Sequence, residues 1–197
     1  AQAVSSLRSR TGVSILECKN ALEESGGDEE KAIELLRSKG QASAVKKAGR
    51  DQSEGAVFIS SGSGKAAMVM LNGETDFVAR NEEFQKLGQE LSDALLENGE
   101  EGFADSNAER INEAVQQLGE NISLGEMHIL EGKNIGTYVH NNNKIAVIVT
   151  LEGGNEELAK DVETKALNQF NKKIHTDNRV ENVLFPIRDG LMVVRKK

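Results

Sequence analysis

The sequence predicts an α+β protein: a three-helix module over residues 1–48, a linker over 49–54, and a core over 55–197 of small antiparallel sheets packed with helices. Three features of the chain point to it. In the first 48 residues, apolar side chains recur three and four apart between N-cap and glycine signals, which marks short amphipathic helices. From Gly55 the pattern changes to apolar runs separated by turn residues, beginning with a hairpin signal. Two later stretches, starting at Glu83 and Asp105, return to helical spacing.

Val4, Leu7 and Arg8 begin a short helix that stops near Thr11-Gly12. Ser14 caps the next, with Glu17 three residues on as a capping box. Ile15, Cys18, Ala21 and Leu22 fall on its inner face, and Ser25-Gly26-Gly27 ends it. Cys18 reads as a small buried core residue there. Asp28 caps a third helix whose first turn carries Glu29 and Glu30, where the helix dipole favours anions. Its inner stripe is Ala32, Leu35, Leu36 and Lys39, and Gly40 closes it. Such a bundle is near the lower size limit for independent folding. A further short helix ends at Gly49, and the basic group Lys46, Lys47, Arg50 suits a solvated helix end.

In the core, Ala56–Ser60 and Lys65–Leu71 form a hairpin about Ser61-Gly62-Ser63-Gly64. Ser-Gly-Ser-Gly-Lys lacks the glycine spacing and the strand-to-helix setting of a phosphate loop. Met68 and Met70 read as strand packing. Phe84, Leu87, Leu91 and Leu95 define one buried helix face. Asn98 to Ala104 is a loop, and Asp105-Ser106 caps a helix through Leu118 with Ile111, Ala114, Val115 and Leu118 inward. Strands follow at Ile122–Leu130, Asn134–His140 and Lys144–Glu152, with the Asn141-Asn142-Asn143 run as a tight turn. Ile145–Val149 reads as a central strand buried on both faces. Glu156 to about Asn168 is helical. Val183–Ile187 is a strand whose Pro186 places it at a sheet edge, and Arg195-Lys196-Lys197 is a basic end without a structural signal.

Composition excludes several classes. Aromatics make up 4% of the chain, with no Trp, so the core rests on aliphatic side chains. The net charge of −8 disfavours nonspecific binding to nucleic acid or anionic membrane. A single cysteine rules out an intramolecular disulfide, and three scattered histidines form no short metal-ligand motif, so neither a metal nor a cofactor is expected. No apolar run reaches the ~20 residues of a membrane span, and the N-terminus lacks a signal-peptide core. An intracellular protein is expected.

Between the second strand and the Glu83 helix lies Asn72-Gly73-Glu74-Thr75-Asp76-Phe77-Val78-Ala79-Arg80. Thr75 and Asp76 offer N-cap oxygens for a short helical turn that starts at Phe77. On the residues alone, Phe77 reads first as a hydrophobic anchor under a loop, with insertion into a partner as the alternative.

The chain resembles the elongation factor Ts family. The N-terminal likeness lies in Leu7–Val13, Cys18–Glu23, Gly27–Ile33 and Lys46-Lys47-Ala48 with Glu54-Gly55 behind. Glu74–Asn81 resembles the family's most diagnostic motif, and Leu118–Ile122 a third. The resemblance implies a ubiquitin-associated-like N-terminal domain that docks on the nucleotide-binding domain of the GTPase elongation factor Tu. Arg10, Thr11, Gly12, Val13, Lys46 and Lys47 would serve that docking. It implies a core in halves of about 55–132 and 133–197, with helices on one side of its sheets. Thr75, Asp76, Phe77 and Val78 would form an inserting turn that disturbs the partner's Mg²⁺ and nucleotide site, with His140 packing in the same region. GDP release would follow without covalent chemistry. The resemblance further implies a heterodimer with factor Tu, no contact with nucleic acid or membrane, and a place in the bacterial cytoplasm, or alternatively a mitochondrial or plastid matrix.

After about residue 160 the chain departs from the family pattern. Leu158–Val162 begins a helix, yet Ala166–Lys172 already resembles the segment before the last core strand at Val180–Asp189. Either the intervening helices are lacking or residues are absent there; without heptads, homodimerisation through a coiled coil is not expected. A ubiquitin-type adaptor is the alternative function, since Thr11-Gly12-Val13 lies where such modules place a binding loop, but it leaves the core unexplained. Pairing His140 with Asp76 as a base and its orienter lacks a nucleophile motif. Glu120 and Asn121 read as a structural corner between helix and strand.

Overall fold

Gly12, Gly26 and Gly27 adopt positive φ and end the first two helices, so the N-terminal helices turn back on one another within few residues. The computed structural model of the chain describes residues 2–141, 143–151, 180–185 and 191–196, the last two segments as backbone only. Helices α1 (Gln2–Thr11), α2 (Ile15–Glu24) and α3 (Glu29–Lys47) enclose Leu7, Val13, Cys18, Ala21, Leu22, Ala32 and Leu36. Ser14 caps α2, accepting from the Glu17 amide at 3.3 Å and donating to the Glu17 carboxylate at 2.7 Å. Asp28 caps α3 by accepting from the Lys31 amide at 3.1 Å.

Three expectations for this module are corrected. Ile15 is 59% exposed, because it opens α2 one turn before the stripe that α1 and α3 cover. Lys39 points outward to Glu24 at 2.8 Å, and Leu35 is only half-buried. Gly40 does not end α3, which continues to Lys47. It keeps a helical backbone and lets the later helix Phe103–Leu118 approach: a Cβ there would lie 2.7 Å from the Gln116 carboxamide oxygen. A glycine inside a helix can mark close packing as well as a stop.

Strands β1 (Glu54–Gly62), β2 (Lys65–Gly73) and β3 (Ser123–Glu131) form an antiparallel sheet in that order. The β1–β2 connection is the two residues Ser63 and Gly64, both at positive φ, as the twist of a tight hairpin requires. The β2–β3 register shifts between Val69 and Leu71, around Met70. After β2 come α4 (Asp76–Ala79), α5 (Glu82–Asn98) and α6 (Phe103–Leu118). The last starts earlier than the expected Asp105-Ser106 cap. Gly102 at φ +67 makes the turn, so Phe103 becomes the first helical residue and is buried.

Both faces of this sheet are covered. Ala56, Phe58, Ala67, Val69 and Leu71 pack beneath α5 and α6 with Phe84, Leu91, Leu95 and Val115. Their strand neighbours Val57, Ala66 and Met68 turn the other way and meet Ala146 and Ile148 of the second sheet. A period of two with both phases apolar is what a sheet buried on both sides demands.

The second sheet has the order β4 (Asn134–Val139), β5 (Ala146–Leu151), β7 (Leu191–Lys196), β6 (Val180–Phe185). The three strands expected at 122–152 therefore divide between two sheets after Glu131. Every residue of β5 is buried, as expected for a central strand. β5 and β7 are parallel, an exception among otherwise antiparallel pairs, since the chain leaves β5 and returns through β6 before pairing. The tail forms two strands rather than one, and Arg195 and Lys196 belong to β7. β6 lies at the sheet edge; Pro186 and the expected helix at 156–168 lie outside the described residues.

Gly88 tests the packing of α5. A Cβ there would lie 2.0 Å from the nearest carbon of the Phe58 ring. Helix propensity alone would make Gly88→Ala stabilising by about 1 kcal/mol. Overpacking should reverse the sign and cost roughly 1–3 kcal/mol in urea unfolding.

Candidate functional site

The sequence from Glu74 to Arg80 folds as one helical turn because its two ends are held separately. Thr75 is extended and caps α4, its hydroxyl accepting from the Val78 amide at 3.2 Å. That hydroxyl also donates to the Glu120 carboxylate at 2.7 Å, and the Thr75 amide donates to the second carboxylate oxygen at 3.0 Å. Glu120 thus chelates Thr75 through backbone and side chain together. One residue earlier, the Glu74 carboxylate accepts from the Asn121 amide at 2.5 Å and from Arg50 at 3.2 Å. The Asn121 side chain donates to the Arg50 carbonyl at 3.0 Å, so the linker is tied into the same corner. The Asn121 amide bond, followed by Arg50, holds the Glu74 carboxyl below the ordinary glutamate range.

Packing then sorts the turn's side chains. Val78 and Ala79 are buried, and Val78 lies against Gly73, where a Cβ would come within 2.6 Å of its methyl. Phe77 points the other way and is 82% exposed, which settles against the anchor reading. Asp76 is the first helical residue and not a cap; its carboxylate meets Arg80 at 3.2 Å. An exposed pair of this kind adds little stability.

His140 stands on the turn between β4 and β5, where its amide donates to the Ile145 carbonyl at 2.8 Å and its Nδ1 lies 3.2 Å from the Tyr138 hydroxyl. At the far end of α4, Gln85 donates to the Ala79 carbonyl at 2.5 Å, and Asn143 of the His140 turn donates to Gln85 at 2.7 Å. The structure therefore places Thr75, Asp76, Phe77 and Val78 on one turn and links the His140 turn to it through a side-chain bridge.

The N-terminal site residues lie on the other module, against α6. The Thr11 carbonyl accepts from Gln117 at 2.5 Å, and a Cβ on Gly12 would lie 2.9 Å from the same carboxamide. Val13 is buried. Arg10 is engaged by Glu29 at 3.0 Å and Glu30 at 2.8 Å. Lys47 donates to the Val115 carbonyl at 3.2 Å, and Lys46 is exposed. Among the described residues, no group of His, Cys, Asp or Glu has an arrangement that could hold a metal ion, and no helix is long and apolar enough to cross a membrane.

Sequence reasoning missed Gln85 and Asn143, and it named Glu74, Arg50 and the structural corner at Glu120 without their partners. Glu120 follows the helix-ending Gly119, so a corner was legible there. Its partner lies 45 residues away, and no local pattern names it.

The family model described as Elongation factor TS matches residues 74–177, a little over half of the chain, beginning at the turn just described. Elongation factor Ts of Aeromonas salmonicida (strain A449) is 42% identical over 169 residues, covering 81% of this chain and 57% of that protein. The protein of the same name from Pseudoalteromonas atlantica is 46% identical over 168 residues, covering 81% and 58%. That from Arthrospira platensis is 45% identical over 172 residues, covering 81% and 69%. The chain thus spans less than two thirds of the length of most of these relatives.

Glu120→Ala should leave Thr75 without its acceptor and cost roughly 1–3 kcal/mol; faster hydrogen exchange at the Thr75 amide, read by NMR, would accompany it. Glu74 adds a pH dependence. Its carboxyl is depressed in the folded state, so its contribution is present above the unfolded glutamate's titration and is lost as pH falls through the folded value. Glu74→Gln should be less stable than the parent at neutral pH, with the two urea curves converging below the ordinary glutamate range. Equal stability at neutral pH would contradict the assignment.

Proposed function

Because the chain belongs to the elongation factor Ts family, we propose that it binds elongation factor Tu in its GDP-bound form and speeds GDP release, so that GTP can reload. The observation that carries this reading is Phe77: a large apolar side chain, 82% exposed, on a turn fixed at both ends. An exposed aromatic on a rigid mount pays little ordering entropy when it enters a partner. Phe77 acts as the apolar tip, and Thr75 and Val78 supply the cap and the buried base. Thr75 performs the capping, so the Asp76 carboxylate, paired at the surface with Arg80, acts on the partner beside the Phe77 ring. His140 stands on the turn that Asn143 and Gln85 tie to the end of α4, and it supports the insertion from there.

No covalent chemistry is required. The partner grips GDP through phosphate contacts and through Mg²⁺, whose charge dominates that site. A wedge that binds the opened partner better than the closed one shifts the equilibrium toward opening. Exchange-factor affinity and nucleotide affinity then oppose each other through one reciprocal coupling energy. Exchange on a bound partner is thus a matter of differential binding, with no cofactor of the chain's own.

The module of residues 1–48 provides a second contact with the nucleotide-binding domain of factor Tu. Lys46 and the exposed edge of Arg10 face outward for it, while Thr11, Gly12 and Val13 shape the loop. Residues 49–54 connect this module to a core in halves of 55–132 and 133–197. The working assembly is a one-to-one heterodimer in the bacterial cytoplasm, without nucleic acid or membrane.

Phe77→Ala should lower the acceleration of GDP release from factor Tu by about 30-fold, corresponding to the ~2 kcal/mol typical of a central interfacial aromatic. Stopped-flow release of a fluorescent GDP measures it, with unfolding in urea unchanged. His140→Ala should lose several-fold in the same assay. Asp76→Asn should reduce the maximal rate while leaving stability within about 0.5 kcal/mol, as for an exposed ion pair. Acceleration by Phe77→Ala equal to the parent's would remove this residue from the mechanism.

A further inference from the structure

We infer that Gln85 is a positioning residue that sets the separation between the Phe77 turn and the His140 turn, a role that rests on the exchange reading above. Gln85 lies in the first turns of α5, its amide donating to the Asn81 carbonyl at 3.0 Å. Its side chain leaves the helix and spans two other segments. Nε2 donates to the Ala79 carbonyl at the C-terminal end of α4 at 2.5 Å, and Oε1 accepts from Asn143 Nδ2 at 2.7 Å. The orientation of the carboxamide is dictated: the Ala79 carbonyl can only accept, so the NH₂ end must face it and the oxygen must face Asn143.

Asn143 transmits the constraint. It occupies the left-handed region at φ +53, its amide donates to the His140 carbonyl at 2.7 Å, and its carbonyl accepts from the Val57 amide at 2.8 Å. The path from α4 to the His140 turn is thus Ala79 carbonyl, Gln85 carboxamide, Asn143, His140 carbonyl. A cleft bordered by Ile59, Gln89 and Val139 lies alongside Gln85 and Asn143. With Glu120 on Thr75 at one end of α4 and Gln85 on Ala79 at the other, the four-residue helix is held in place relative to both sheets.

Two variants test the role. Gln85→Met preserves length and helix propensity but removes both hydrogen bonds. Asn143→Gly removes the side chain at a position where glycine adopts the backbone without strain. In the stopped-flow assay, Gln85→Met should lower the maximal rate of GDP release at saturating protein by roughly tenfold, since small misplacement of an acting group is costly. The concentration giving half-maximal rate should change less than about twofold. The double variant should be no slower than Gln85→Met alone, because the two side chains form one unit. Maximal rates equal to the parent's, or a loss only in the half-maximal concentration, would overturn the role.

Amide spectra of the free protein separate the role from the exchange reading. Gln85→Met should shift resonances of both the Phe77 and the His140 turns; perturbation confined to one of them sinks the inference even if the parent accelerates release. A parent that fails to accelerate release overturns the exchange reading, and with it the functional role of Gln85.

Discussion

The structure depends on one carboxylate. Glu120 accepts from both the amide and the hydroxyl of Thr75, and that hydroxyl in turn accepts from Val78. A four-residue helix cannot sustain itself, since helix nucleation is unfavourable and most of its backbone groups have no intrahelical partner. Glu120 supplies from outside what α4 lacks in length. The mount stays ordered while its most apolar side chain, Phe77, faces water.

The same corner joins the two parts of the chain. Glu120 directly follows α6 and its ending glycine, and α6 is the helix on which the N-terminal module rests, through Gln116 against Gly40, Gln117 against Thr11 and Val115 against Lys47. Arg50 of the linker reaches Glu74 on the other side. The proposed docking module and the proposed inserting turn therefore share one structural element. Their relative placement is set by hydrogen bonds to α6 and its exit and not by the linker alone.

Beneath the turn, a sheet covered on both faces provides the rigid base. Phe58 and Val69 face the helices, while Val57 and Met68 face the second sheet, so β1 and β2 cannot slip by one residue without exchanging two cores. The His140 turn belongs to the second sheet and α4 to the first, and Gln85 and Asn143 bridge them. An apolar core joins the two sheets, and the side-chain bridge ties the edges that carry α4 and the His140 turn.

The sequence by itself determined the element types, because caps, glycine stops and apolar periodicity act over a few residues. Ser14, Asp28 and Thr75 cap the helices they were expected to begin, and β5 is the buried central strand its unbroken apolar run announced. It misread Gly40, Ile15 and the Asp105-Ser106 cap, where a local signal carries either of two meanings and only the surrounding packing chooses between them. The motif about Phe77 was legible as a candidate site, but its residues alone favoured an anchor. Tertiary structure decided that Phe77 faces outward, since Val78 and Ala79 occupy the available core. It also decided which carboxylate holds the turn. Glu120 and Thr75 are 45 residues apart, and contacts across such a separation arise from packing rather than from any pattern along the chain.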